Sequence, residues 1–179
     1  MKKAISLVVF LSCLSQLCYG VTEEERKANW DKLREIKSQT SLVLHPQKGE
    51  ITRGPNIVEP GDDLSSHFSE VYLLRIVDPQ DNEFYKIHIT ALHRGDQWMN
   101  YKLAARKTGS GLKLSALSRE ERTDSEGNTM REEQLELAIS FLDLANNIGG
   151  RGLDILLLGE TRQEIHISSL YLLAMMQSI

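Results

Sequence analysis

Four consecutive stretches in the middle of the chain have strand-like patterns: the first is apolar on both faces, and the others largely alternate between hydrophobic and polar residues. These stretches are residues 71–78, 83–93, 97–107 and 112–118. Short segments rich in Gly, Pro, Asp and Asn separate them, which is typical of hairpin turns. Registers that pair Leu74 with Ile87, and Ile87 with Leu103, bring the apolar residues of neighbouring stretches onto one face. The pattern therefore predicts an antiparallel β-meander.

Helical patterns flank this region on both sides. Thr22 and Glu25 have the three-residue spacing of a capping box, which predicts a charged surface helix over Glu23–Ser38. Residues 169–177 are mostly apolar and predict a buried C-terminal helix.

A longer helix is predicted between the meander and the C-terminus. Thr129 and Glu132 form a second capping-box spacing, and the polar residues that follow recur every three or four positions. The pattern predicts a helix over residues 130–147, ended by Gly149. Its wide apolar side should pack on the apolar face of the meander.

Three further segments are strand-like. Ser41–His45 and residues 165–167 are short apolar stretches, and Leu153–Leu158 is apolar throughout. A continuously apolar strand is typical of one that is covered on both faces, so we expect Leu153–Leu158 to lie beside residues 71–77. Residues 47–66 contain several Gly and Pro residues and are predicted to form a long loop.

These elements predict an α+β fold in one domain over residues 21–179. We expect an antiparallel β-sheet meander of five or more strands, a long amphipathic helix packed on one face, and a C-terminal apolar helix. The composition agrees with a globular domain, because 41% of the 179 residues are hydrophobic and 26% are charged.

The first twenty residues have the organisation of a secretory signal peptide. Lys2 and Lys3 precede an apolar run over residues 4–17, and small residues at Cys18 and Gly20 suit a cleavage site before Val21. We therefore expect residues 1–20 to be removed on export. The alternative is a lipoprotein anchored at Cys13, although Phe10 replaces the Leu that such signals usually carry.

Export would leave a chain of distinctive composition. Both cysteines and two of the 21 basic residues are lost, so 19 basic residues remain against 25 acidic ones, a net charge of −6. The remaining chain has no cysteine and no Asn-x-Ser/Thr sequon. A small secreted eukaryotic domain more often carries disulfides or glycans, so we expect a bacterial periplasmic location. The acidic charge argues against a nucleic-acid ligand.

No motif in the sequence predicts a catalytic or metal site. The five histidines lack zinc-ligand spacing, and His88 and His93 fall on opposite faces of their predicted strand. Residues 59–67 include Asp, Ser and His, but hydrolase triads are recognised by spatial roles, and no Gly-x-Ser-x-Gly turn is present. We assign no catalytic residue and no cofactor, and we expect a non-enzymatic protein.

One predicted feature indicates a binding surface. In the predicted registers, the face opposite the core carries several cations, a tryptophan and no carboxylate. The candidate binding residues are Trp98, Arg75, Lys86, His88, Lys102 and Arg106. Such a face would attract an anionic surface on another envelope or secreted protein. Alternatively, the acidic N-terminal helix covers it.

Three functions fit these observations. The first is a secreted protein-binding module, such as an inhibitor, an immunity-type protein or an envelope-assembly accessory protein. The second is a carrier of a lipid or other apolar ligand, in a pocket lined by Tyr85, Ile89, Tyr101, Leu142 and Met175. The third is a hydrolase. The first is favoured, because no catalytic motif is present.

Signal-peptide cleavage gives the first testable prediction. N-terminal sequencing of the exported protein should begin Val21-Thr22-Glu23, because the small residues at Cys18 and Gly20 suit signal peptidase. A lipid-modified Cys13, or an intact Met1, would contradict this prediction.

Overall fold

The computed structural model of the chain describes residues 22–95, 97–124 and 126–177. The described residues form three helices and nine strands. The helices are α1 (Glu23–Ser38), α2 (Phe141–Ile148) and α3 (Ser169–Met176). The strands are β1 (Ser41–His45), β2 (Gly49–Arg53), β3 (Phe68–Val77), β4 (Glu83–Arg94), β5 (Leu103–Arg106), β6 (Gly111–Thr123), β7 (Thr129–Ile139), β8 (Leu153–Leu158) and β9 (Arg162–Ile167). The predicted signal peptide, including Cys13, lies outside these residues.

The nine strands form one antiparallel sheet in the order β1-β2-β3-β4-β7-β6-β5-β8-β9. This confirms the α+β class and an antiparallel sheet of more than five strands. The sheet is not a simple meander, because β7 lies between β4 and β6. The predicted 47–66 loop contains β2, and Leu153–Leu158 lies beside β5 and β9 rather than β3.

The predicted long helix over residues 130–147 is wrong. Residues Thr129–Ile139 form β7, in which Leu135, Leu137 and Ile139 are buried while Glu136 between them is not. This two-residue alternation suits a strand that is covered on one face. The helix begins at Phe141 instead, where Ser140 and Asp143 form the capping box.

The predicted registers are wrong by one residue. Leu73 pairs with Ile87, and Leu74 pairs with Lys86. The predicted strand over residues 97–107 shortens to Leu103–Arg106, which pairs with β6 and β8 and not with β4. Because side chains alternate between faces, a one-residue shift exchanges the faces of a strand relative to its neighbour.

The true registers define two different faces of the sheet. The helix-side face carries residues with no solvent exposure: Val71, Leu73, Ile87, Ile89, Leu135, Leu137, Ile155 and Leu157. Helix α3 packs against β3 and is itself covered by α1 and α2. The open face carries the alternate residues, among them Tyr72, Lys86, His88 and Glu136. Most of these are half-buried and polar.

Tyr171 of α3 joins the helices to β3 and to the segment that follows β2. Its hydroxyl donates a hydrogen bond to the Pro55 carbonyl oxygen at 2.8 Å and accepts one from the Leu73 amide at 3.1 Å. The backbone at Gly54 runs so close that a Cβ there would lie 2.2 Å from the Tyr171 hydroxyl oxygen. Glycine at this position therefore permits the contact.

Replacing Tyr171 with Phe should destabilise the fold by about 1–3 kcal/mol, because the buried Leu73 amide and Pro55 carbonyl both lose their partner. The melting temperature should fall by about 2–4 °C per kcal/mol. Tyr72→Phe is the matched control, since the Tyr72 contacts that the structure describes are made by its ring. Equal melting temperatures for the two variants would contradict the role of the Tyr171 hydroxyl.

Candidate binding surface on the open face

The six candidate binding residues do not share one face. Lys86 and His88 lie on the open face of β4. Arg75 and Arg106 lie on the helix-side face, opposite buried Tyr85 and Ile155 respectively, and Trp98 and Lys102 lie in the irregular segment between β4 and β5. The predicted grouping is wrong, because it used registers shifted by one residue.

The predicted absence of carboxylates is also wrong. Three of the candidate cations form ion pairs within the chain. The pairs are Lys86–Glu136 at 2.7 Å, Arg75–Glu83 at 2.5 Å, and Arg106–Asp143. Glu136 comes from β7, which was predicted to be a helix, so its position beside Lys86 was not predicted. These three cations are therefore neutralised locally.

Trp98 belongs to a polar cluster at one end of the core. Its ring lies 5.6 Å from the Arg119 guanidinium and 5.7 Å from that of Arg131, measured to the ring centroid. Nearby, the backbone N–H of Asn100 donates a hydrogen bond to the buried Glu133 carboxylate at 2.8 Å. These contacts hold the irregular segment against β6 and β7, which is a structural role.

A compact cluster occupies the open face where β2, β3 and β4 lie side by side. The rings of Tyr72 and His88 stack with centroids 4.8 Å apart at an interplanar angle of 20°. The Arg53 guanidinium lies 3.8 Å from the Tyr72 ring centroid and pairs with Glu70 at 3.2 Å. We call Arg53, Glu70, Tyr72 and His88 the ring cluster. Only His88 was identified from the sequence.

The missed members had only a short signal in the sequence. Ile51 and Thr52, which both favour strands, are adjacent inside the predicted loop. Recognising β2 would have placed Arg53 beside β3. Tyr72 lies on the same face as Arg53 only in the correct register of β3, and the local sequence pattern does not determine that register.

Burial lowers the pKa of His88, which is half-covered between Tyr72 and its neighbours. The carboxylates of Glu70 and Glu136 act in the opposite direction, and Arg53 adds a smaller lowering effect. Desolvation is the largest of these effects.

An apolar groove adjoins the ring cluster on β4. It has a volume of about 550 Å³, with Ile76, Phe84, Ala138 and Phe141 among its apolar lining and Lys86 at its rim. Phe84 is 49% exposed there. Strand β4 thus presents an aromatic ring, a cation and a stacked imidazole in succession on the open face.

The residues predicted to line a lipid pocket do not surround one cavity. Tyr85, Ile89, Tyr101 and Met175 are buried in the packed core, whereas Leu142 is 66% exposed. The core therefore uses the four buried residues for packing.

The loop with hydrolase-type residues stabilises its own backbone. The Asp62 carboxylate accepts hydrogen bonds from the amides of Glu59 and Ser65, and the Ser65 hydroxyl donates to the Asp62 carbonyl. Within residues 22–95, 97–124 and 126–177, no group of three metal-ligating side chains is arranged around a common point. The same residues contain no helix with the length and apolar character needed to cross a bilayer.

Comparisons of the chain with protein families, with curated proteins and with solved structures find no match. The open face is therefore interpreted from its own geometry.

The lowered pKa of His88 gives a testable pH dependence. The unfolded chain binds a proton at this residue more readily than the folded one, so the stability contribution is full above about pH 6.5 and is lost as the pH falls through the folded pKa. The ring of His88 should titrate below 6.5 by NMR. His88→Gln should reduce the loss of stability between about pH 7.5 and about pH 5.5.

His67→Gln serves as the control, because His67 is exposed in the turn before β3. It should retain the pH dependence of the unmodified chain. A His88→Gln variant with that same dependence would show that burial of His88 has no measurable linkage to folding.

Proposed function

We propose that this chain is a secreted, non-enzymatic protein-binding module of the bacterial envelope, and that the open face of its sheet binds another envelope or secreted protein. The observation that carries the proposal is the ring cluster. Its aromatic and guanidinium groups are stacked on adjacent strands and face away from the helices.

Residue chemistry supports this assignment. Tyr and Arg are enriched among residues that contribute most of the binding energy at protein interfaces. The Tyr72 ring is only 9% exposed and lies between the His88 ring and the Arg53 guanidinium, so it fixes these two partly exposed groups before a partner arrives. A preorganised surface loses less conformational entropy on binding than a flexible one.

The ion pairs change the expected nature of the partner. Lys86 and Arg53 each have a carboxylate partner on the same face, Glu136 and Glu70. The surface therefore offers both signs of charge and little net field. We expect recognition through ring contacts and hydrogen bonds, with a weaker dependence on salt than a purely cationic face would give.

The double variant Arg53→Ala with Phe84→Ala should weaken partner capture at least tenfold, or about 1.4 kcal/mol. It removes the guanidinium over Tyr72 and the exposed ring of the apolar groove, while the buried core is untouched. Tagged protein is incubated with envelope extract, and captured proteins are quantified by mass spectrometry at two salt concentrations.

Lys102→Ala with Leu142→Ala is the matched control, because it also removes one exposed cation and one exposed apolar side chain. Neither residue belongs to the ring cluster or lines the apolar groove, so this variant should capture the partner normally. Equal capture by both double variants, with both folded by thermal unfolding, would contradict the assignment of the open face.

A further inference from the structure

The outer strands of the sheet are protected very unequally against pairing with other chains. Strand β9 carries Arg162 and Glu164. Strand β5 covers only the start of β6, and the uncovered remainder of β6 carries Arg119, Glu120 and Arg122. Charged side chains on a free strand edge oppose edge-to-edge association. The described parts of these two edges therefore carry charges that oppose pairing with another chain.

Strand β1 carries no such charges. It lies at one end of the sheet and pairs with β2 alone among the described strands. Its sequence Ser-Leu-Val-Leu-His contains no Asp, Glu, Lys or Arg. Leu42, Val43 and Leu44 are 61%, 55% and 72% exposed. An exposed apolar edge of this kind acts as a template for another strand.

We propose that β1 pairs with β1 of a second copy of this chain, antiparallel and with the two-fold axis through Val43. In this register Leu42 faces the second copy's Leu44, and Val43 faces the second copy's Val43. Ser41 faces the second copy's His45. All five residues of the strand are then paired, and the contact is isologous, which closes at a dimer.

The symmetry of the strand favours a second copy as the occupant. Leu42 and Leu44 flank Val43, so the two-fold axis opposes leucine with leucine, and the strand has no Asp, Glu, Lys or Arg that would meet a like charge. Leu42 and Leu44 both lie on the helix-side face, opposite Thr52 and Glu50 of β2. The pair would therefore align four leucines on one side of a continuous sheet.

The contact is short, and its size sets the expected affinity. Five paired residues bury less area than a standard stable interface, so we expect a weak dimer that depends on concentration. The proposal concerns a strand edge and does not use the ring cluster. Failure of the dimer experiment would therefore not contradict the proposed function.

A single cysteine can detect this dimer. Residues directly opposite in antiparallel strands have Cα atoms about 4.5–5.5 Å apart, which lies within the range for a disulfide. In the full chain with Cys13→Ser and Cys18→Ser, the added Val43→Cys residue is the only thiol. Mild oxidation should convert this variant to a disulfide-linked dimer.

Leu117→Cys in the same background is the matched control. Leu117 is 49% exposed on β6, close to the exposure of Val43. Val43→Cys should link at least tenfold faster than Leu117→Cys. A mixture of Leu42→Cys and Leu44→Cys chains should link to each other faster than either chain links to itself, because only the mixed pair is opposed.

Sedimentation of the chain without added cysteine tests the dimer independently. The average mass should rise with concentration, and Val43→Lys should abolish the rise while Leu117→Lys preserves it. A constant monomer mass, together with equal linking rates for Val43→Cys and Leu117→Cys, overturns the proposal. The same result is expected if β1 pairs with a strand of a different protein, and the proposed dimer is then wrong.

Discussion

The pairing of β7 with β4 on one side and β6 on the other is the constraint on which the rest of the structure depends. It places Leu135 and Leu137 in the middle of the helix-side face, where neither has any solvent exposure. It also places Glu136 opposite His88 on the open face. One strand thus determines both the centre of the core and the charge balance of the candidate binding surface.

Local sequence patterns correctly predicted the elements that depend mainly on residues close together in sequence. The capping box of Thr22 and Glu25 correctly located α1, and both its hydrogen bonds are present. The apolar segments that became β1, β8 and α3 were also predicted correctly. The decisive interactions of α1 lie within the helix, and β8 and α3 are determined by the burial of their apolar residues.

Non-local pairing explains what the sequence did not predict. Residues 130–139 are rich in Glu, Gln and Leu, which favour helices, yet tertiary pairing on both sides makes this segment a strand. The register of β3 against β4 differed by one residue because the apolar pattern of β3 fits either face. Lys86 and His88 were correctly identified as neighbours, whereas Arg53 and Tyr72 became visible only when β2 was placed beside β3.

The hydrogen bonds of Tyr171 also have a consequence for the order in which the chain can fold. They join residues 98 and 116 positions apart in sequence, and the partners of Tyr171 belong to the first half of the chain. In a polypeptide that emerges with its N-terminus first, the residues of β1–β4 are present long before those of α3, so α3 cannot cover β3 until the last residues arrive. Contacts of such separation slow folding. A nascent chain built in this way completes its core only when its last residues have been made.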